Sequence, residues 1–344
     1  MNSVHLLIPD LLLPEAIASR VCDGIHMPAL EKLLARGALA DAPAGGNRAG
    51  AERCLEDYLC EIFGVAGDPA ADSPVAVISA GFDQMGDGSW LRADPVHLHL
   101  DQSRMLLSAV SMSGDEASAL CASMNEHFTC QGLSFFAPHP QRWYVRTDTP
   151  PCIRTTPLSQ VTGTDVRGAL PSGEDAARWH GVLNEMQMLL YSHSVNEARE
   201  VRGELSINSV WLWGGGSTGS IAPQKKYDCV SSDEVVSEMF SAATGARFTT
   251  WAAQWQDCNC DQLLVWTGLR DALQRGNLAA WRMALQDFET GYAQPLWEAL
   301  CAGRIEHLRI DILGGENVRS AHLSRGNAWY FWRRAKPLAD YSMV

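Results

Sequence analysis

The chain has 344 residues, of which 46% are hydrophobic and 19% charged, with a formal net charge of −13. That composition fits a globular protein of two domains or one large one. The charge argues against a general nucleic-acid binder, which needs a basic face to release counterions, but it leaves room for a local basic pocket that takes a small anion.

The apolar start VHLLIPDLLLP is broken by Asp10 and two prolines. It is too short to span a bilayer and lacks the basic start and cleavage site of a signal peptide. We therefore expect no membrane partner and a cytoplasmic location. The ten cysteines are scattered, and only Cys258 and Cys260 are closely spaced, which predicts reduced thiols.

Residues 4–8, VHLLI, read as a buried strand, with Asp10 just past its end, where α/β sheets place their chemistry. MPALEKLLARGAL predicts a helix. Pro28 suits a first helical position, Leu30, Leu33 and Leu34 keep helical spacing, and Gly37 is a natural stop. SPVAVISAGF reads as a second strand and DEASALCASMNEHF as an amphipathic helix. GLSFFAP and RWYVRT read as a strand pair, and EDAARWHGVLNEMQMLLYSH is the clearest long helix. SINSVWLWGG is a β-branched and aromatic run stopped by glycine, hence a strand followed by a turn. The Gly-Gly-Gly-Ser-Thr-Gly run there lacks the P-loop lysine and the Rossmann spacing. Further on, DQLLVWTG and IEHLRIDIL read as strands around the long helix NLAAWRMALQDFETGYAQPLWEALCAG, and NAWYFWRR as a terminal aromatic strand. Alternating strands and helices imply an α/β sheet.

Two clusters carry ligand-type side chains. His97 and His99 point to one side of a strand beside Asp94, and can be read as a metal pair or as ordinary strand residues. Cys258 and Cys260 share a face if extended, but no second pair at zinc-finger spacing follows.

Several blocks resemble a known family. MPALEKLLARG, after a strand ending in Asp, resembles the N-terminal signature of the alkaline phosphatase superfamily. HSVNEAREVRGELSINSVWLWGGG is similar to the HPVN-x-x-R … NAIWLWGQG block of archaeal-type cofactor-independent phosphoglycerate mutases. WLRADPVHLHLD and GLSFFAPHPQRWYV resemble that family's middle-domain strands, and TTPLSQVTGTDVRGALPSGEDA the loop that follows. The blocks keep one order across most of the chain. RADPVHL, NEMQMLL and NS-x-WLWGGG bring it closer still to a bacterial branch, the RpfE-type regulatory proteins.

The resemblance implies an α/β fold: an alkaline-phosphatase-like core sheet flanked by helices, formed by residues 1–87 and 206–344, with an inserted α+β middle domain at 88–205. The NSVWLWGG strand would re-enter the core sheet. Its tryptophans would then be packing beside a crevice, or would stack on a ligand. Active members use two metal ions and a hydroxyl nucleophile. Asp10 matches the first metal-binding aspartate, and Asp271 and Asp311 stand as vestigial ligand candidates. The segment 40–60 that should hold the nucleophile contains no Ser or Thr. Arg275 stands where a ligand histidine would be, and a guanidinium cannot ligate a metal. No histidine follows Asp311 in DILGGEN.

The expected function is therefore a non-catalytic, regulatory mutase-like protein with no cofactor. Its partner would be a small phosphorylated or carboxylated metabolite, or another protein. The alternatives are an active phosphatase or phosphomutase with rearranged ligands for a divalent metal such as Mn or Zn, and a structural scaffold. Arg92, Arg142, His193 and Arg199 lie in blocks resembling the substrate-binding middle domain. The arginines suit bidentate capture of carboxylate or phosphate, or else form internal salt bridges. His193, Asn196 and Arg199 share roughly one helical face, unless His193 caps the helix.

Overall fold

The computed structural model of the protein describes residues 2–42, 54–65, 74–218, 222–314 and 317–341. Among them are strands β1 (Ser3–Pro9), β2 (Ala40–Asp41), β3 (Ser89–Asp101), β4 (Arg104–Ala109), β5 (Leu133–His139) and β6 (Arg142–Thr147). Then follow β7 (Ser209–Ser217), β8 (Cys229–Ser232), β9 (Arg247–Thr250), β10 (Gln262–Val265), β11 (His307–Gly314) and β12 (Asn317–Ser324). Two compact units divide the chain: Met1–Leu59 with Gln224–Val344, and Cys60–Pro223. The second begins earlier and ends later than the 88–205 insertion expected from the resemblance.

The first unit is built on a seven-stranded sheet in the order β2-β12-β11-β1-β10-β8-β9. Its middle is parallel, and β12 and β2 run antiparallel at one edge. Alternation along the strands sorts side chains by face. Val4, Leu6 and Ile8 of β1 and Leu308, Ile310 and Ile312 of β11 enter one core. They meet Leu30, Leu33 and Leu34 of helix Pro28–Arg36 and Trp281 and Leu285 of helix Leu278–Phe288. The other face of the same strands carries His5, Arg309 and Asp311.

Helix Pro28–Arg36 forms where the spacing predicts it, with Gly37 at its C-cap. Met27 at its N-cap offers no side-chain oxygen. The buried carboxylate of Glu289 supplies the cap instead, accepting from the amides of Ala29 at 2.6 Å and Leu30 at 3.0 Å. Glu289 opens a π-helical turn, Glu289–Ala293, within the long helix read from the sequence. In that turn Gly291 is required by contact: a Cβ there would lie 2.4 Å from the carbonyl oxygen of Ala253.

The second unit has a five-stranded sheet, β4-β3-β6-β5 with β7 on β3. Helices Gly114–Phe128 and Ala176–Tyr191 cover one face, burying Leu120, Met124, Phe128, Trp179 and Met186 against Leu91, Phe135, Trp143, Val145 and Leu212. Ala76 and Ala80 of helix Val75–Phe82 pack on Trp90 and Tyr144.

Three expectations need correction. SPVAVISAGF is a helix over Val75–Phe82, not a strand. Every residue from Val75 to Ala80 is buried, and an apolar run with no polar face has no periodicity to reveal its type. NAWYFWRR is a 3-10 turn, Arg325–Trp329, and irregular chain, with Trp329, Phe331 and Trp332 exposed. The strand at this end is the preceding β12, whose mixed sequence carries little strand signal. Finally, NSVWLWGG does not join the core sheet. As β7 it pairs antiparallel with β3 in the second unit.

That strand also runs through its glycines to Ser217 rather than stopping at them. Gly214 has φ of 70°, a value that glycine takes without the cost of a Cβ, and the β3–β7 register shifts between Trp90 and Arg92. A Cβ on Gly215 would come 2.7 Å from Leu91, and one on Gly216 2.8 Å from Pro74. The triple glycine is thus a close-packing device in this unit.

Candidate functional site

Asp10 follows β1 at the carboxyl end of the parallel strands. Its backbone is left-handed, with φ of 62°, a strained conformation of the kind found at functional sites. Its carboxylate meets the Arg270 guanidinium, Nε to Oδ2, at 3.2 Å. Arg270 opens the short helix after β10 and is only 18% exposed. Burial alone would weaken its charge. The carboxylates of Glu56, Asp10 and Glu234 overcome that and raise its pKa.

Glu56 is buried, and its Oε2 has no donor among the described residues. Glu234, at the N-cap of helix Val235–Thr244, has its pKa raised by burial and by Glu56, against the pull of Arg270. Asp233 beside it is raised by burial and accepts from the Thr267 amide at 2.8 Å. Among the described residues, one guanidinium therefore carries the positive charge for several carboxylates at this strand end. Nothing in the sequence pattern singled out Arg270. The available signal was a cation five residues past the end of β10.

The three vestigial ligand candidates fall in separate settings. Asp10 pairs with Arg270. Asp271 is 71% exposed and pairs with Arg275 one helical turn on, at 2.9 Å. Asp311 lies within β11, opposite Leu7 of β1, and is fully buried. It accepts from His5 at 2.6 Å, Tyr58 at 2.5 Å, Ser320 at 2.5 Å and Arg309 at 3.0 Å. Burial would raise its carboxyl pKa, but the His5, Ser320 and Tyr58 hydrogen bonds outweigh that and hold it below the usual carboxylate range. Burial lowers the pKa of His5. A neutral ring donating from Nε2 to Asp311 and accepting at Nδ1 from Tyr227, at 2.6 Å, satisfies both contacts.

No three ligating side chains converge on a metal position among the described residues. The first-strand aspartate faces a buried cation. These residues do not fit a divalent metal pair. Much of the segment expected to hold the nucleophile, residues 43–53, lies outside the described residues. At its described end, Cys54 is buried and its thiol pKa is pushed well up, first by desolvation and then by Glu56, which makes it a poor nucleophile.

In the second unit Arg92 and Arg142 converge, while His193 and Arg199 lie elsewhere. Arg92 is buried, bonded to Asp94 at 2.6 Å and Ser79 at 3.0 Å, with its charge over the rings of Tyr144 and Trp213. Arg142 makes a two-point pair with Asp83 at 2.9 and 3.2 Å. Tyr144 links the two, donating to Asp83 at 2.5 Å and touching Ser79. Trp213 donates to Asp94 at 2.7 Å and Trp211 to the Thr156 carbonyl at 2.8 Å. Both indoles are buried.

His193 caps helix Ser194–Val201, its Nδ1 accepting from Val195 at 3.1 Å. Asn196 bridges Leu190 and Ile207. Arg199 is 2% exposed and binds Glu116, Ser111 and Leu205. The shared-face spacing thus pins the approach to β7. Arg199 also borders a cleft of about 700 Å³ with Arg202, Glu116 and Glu204, where the carboxylates oppose an anion. His97 and His99 stack at 5.7 Å, and His97 is held by the Ser206 carbonyl at 2.8 Å.

No protein-family model matches the chain. It is similar to the 2,3-bisphosphoglycerate-independent phosphoglycerate mutase of Methanosarcina acetivorans, 26% identical over 211 residues, covering 59% of this chain and 51% of that protein. It is also similar to phosphoglycerate mutase 2 of that type from Methanothermobacter thermautotrophicus, 27% identical over 154 residues, covering 44% and 37%. The chain thus spans about half the length, or less, of the curated relatives it matches. Among solved structures, the cofactor-independent phosphoglycerate mutase of Thermoplasma acidophilum aligns with a TM-score of 0.46 at 14% identity, covering 95% of this chain and 90% of that one. A protein from Pyrococcus horikoshii aligns with a TM-score of 0.50 at 12% identity, covering 94% and 87%, a likeness of fold alone. The sequence matches make the chain a remote homologue of the cofactor-independent phosphoglycerate mutases.

Proposed function

We propose that the chain is a mutase-like regulatory protein of the bacterial cytoplasm that works by binding and does not transfer phosphate. The observation that carries this reading is the Asp10–Arg270 pair. A two-metal phosphotransferase uses its first-strand aspartate to hold a cation that lowers the pKa of a nucleophile. Here that carboxylate is already paired with a guanidinium, which can hydrogen-bond an anion but cannot coordinate a hydroxyl and lower its pKa as a metal ion does. The lack of Ser and Thr across residues 40–60 supports the same conclusion. Loss of the reaction leaves the use of a binding surface intact, because anion capture needs only donors and a crevice.

The ligand we assign is a small phosphorylated or carboxylated metabolite. One observation favours a protein partner as a second reading: Trp329, Phe331 and Trp332 are 73%, 77% and 62% exposed in one short segment beside Arg333 and Arg334. Exposed aromatic and arginine side chains are the usual anchors of protein interfaces.

The test is turnover of 3-phosphoglycerate and of an aryl phosphate with Mn, Zn or Mg supplied. The expected result is no activity above the metal-only control. Metal-dependent turnover abolished by Asp10→Asn would replace this reading with an active phosphotransferase of rearranged ligands.

A further inference from the structure

We infer that the first unit carries a small-anion site on the polar face of its central sheet, at the amino-terminal end of the parallel strands and away from Asp10. The register of β1, β11 and β12 builds it row by row. Ser3, His307 and Ser324 stand side by side, His5, Arg309 and His322 form the next row, and Leu7, Asp311 and Ser320 the third. The first two rows line a cleft of about 400 Å³, with Tyr227 at its side. Its volume is within the range of small-molecule sites.

The charge of the lining is the decisive feature. The protein as a whole carries −13, yet among the described residues no carboxylate lines this cleft; the titratable groups there are three imidazoles, a guanidinium and a phenol. Asp311 lies one row deeper and is saturated by His5, Tyr58, Ser320 and Arg309. It thereby orients His5 and Arg309 without facing the opening. Arg309 spends Nε and Nη2 on Asp311 and Tyr58. Its Nη1 has no hydrogen-bond partner among the described residues, and the side chain is 42% exposed. The imidazoles of His307 and His322 likewise bond no described side chain, and both residues are exposed. The hydroxyl of Ser3 flanks them, while that of Ser324 donates to Asn327 Oδ1 at 2.6 Å. A guanidinium edge, two open imidazoles and one hydroxyl on a rigid sheet suit a phosphate or carboxylate group by hydrogen bonds, charge-assisted at the guanidinium. A basic concavity on an acidic surface also concentrates anions locally.

This inference rests on the reading that the chain acts by binding, and it locates the ligand. The experiment is calorimetric titration of the full chain with inorganic phosphate and with 3-phosphoglycerate, for wild type and for the double variant His307→Gln/His322→Gln. Both residues are exposed, so the variant should unfold in urea at the wild-type midpoint. Histidine-ring NMR shifts of wild type are followed in parallel.

The expected result is saturable binding by wild type, shifts at His307 and His322, and at least tenfold weaker binding by the double variant, equivalent to about 1.4 kcal/mol. Equal affinity for both probes would assign the site to the free inorganic anion, and tighter 3-phosphoglycerate binding to a phosphate ester; either supports the site. No saturable binding up to millimolar probe, or binding that the double variant leaves unchanged, overturns it. Metal-dependent turnover in the same preparation would instead overturn the binding-protein reading and leave the cleft result standing.

Discussion

Replacing Arg270 with alanine removes the guanidinium that pairs with Asp10 and that, among the described residues, faces the charges of Glu56 and Glu234. Truncating one member of a buried ion pair typically costs about 3–5 kcal/mol, because the partner is left uncompensated. Arg270 is 18% exposed but Asp10 is 35% exposed, so water recovers part of the loss. Glu56 gains no such relief, being buried with an Oε2 that has no donor among the described residues. A loss of about 2–4 kcal/mol follows, which in a unit of this size lowers the Tm by about 5–12 °C.

The pH dependence has a definite sign. Burial raises the pKa of Glu234 in the folded state, and Arg270 opposes that rise. A carboxylate with a raised folded pKa favours folding at pH values below its unfolded pKa, and that contribution is lost as the pH rises through the folded pKa. Removing the guanidinium raises the folded pKa further and enlarges the loss. The deficit of Arg270→Ala should therefore be larger at pH 8 than at pH 5 in urea unfolding. A variant within about 0.5 kcal/mol of wild type, or a deficit equal at both pH values, would refute the claim that Arg270 neutralises this strand end.

Three further outcomes are expected. Trp213→Ala should cost about 3–5 kcal/mol in urea unfolding, whereas Trp213→Phe keeps most of the packing and should cost about 1–3 kcal/mol for the lost hydrogen bond to Asp94; wild-type stability with lost ligand binding would show instead that the indole stacks on ligand. Glu289→Ala uncaps helix Pro28–Arg36 and should cost about 1–2 kcal/mol, a loss that Glu289→Gln should only partly restore because the charge–dipole attraction is gone. Asp311 and Asp83 are held below their ordinary carboxyl range in the fold, so their contribution is present above about pH 4 and is lost as the pH falls through the folded values; acid titration by circular dichroism should show Asp311→Asn both less stable at neutral pH and less acid-sensitive.

Much of the scaffold was legible because its elements have one wet and one dry side. Helix Pro28–Arg36 and helix Gly114–Phe128 carry their period and their stop or cap signals in the sequence. Val75–Phe82 was not legible, since burial on all sides erases the period that separates helix from strand. The destination of β7 was misread for another reason. Its composition announces a strand, but which sheet it joins is set by β3, more than a hundred residues earlier.

At the candidate sites the sequence identified residue types better than their partners. Arg92, Arg142 and Arg199 were visible as cations. Their commitment to Asp94, Asp83 and Glu116 is a fact of three-dimensional contact. His5 inside the apolar VHLLI run was the readable hint that this sheet has a polar face. Arg309 and His322 joined it only through register.

The central claim is that a guanidinium has taken the place of the metal pair, and elemental analysis tests it most directly. Protein is incubated with Mn and Zn, passed through a desalting column, and measured for bound metal, with thermal unfolding recorded with and without EDTA. The account predicts no stoichiometric metal and an unchanged Tm, because an ion bound only to the folded state would stabilise it. Two ions per chain, with a Tm that falls when EDTA is added, would contradict it.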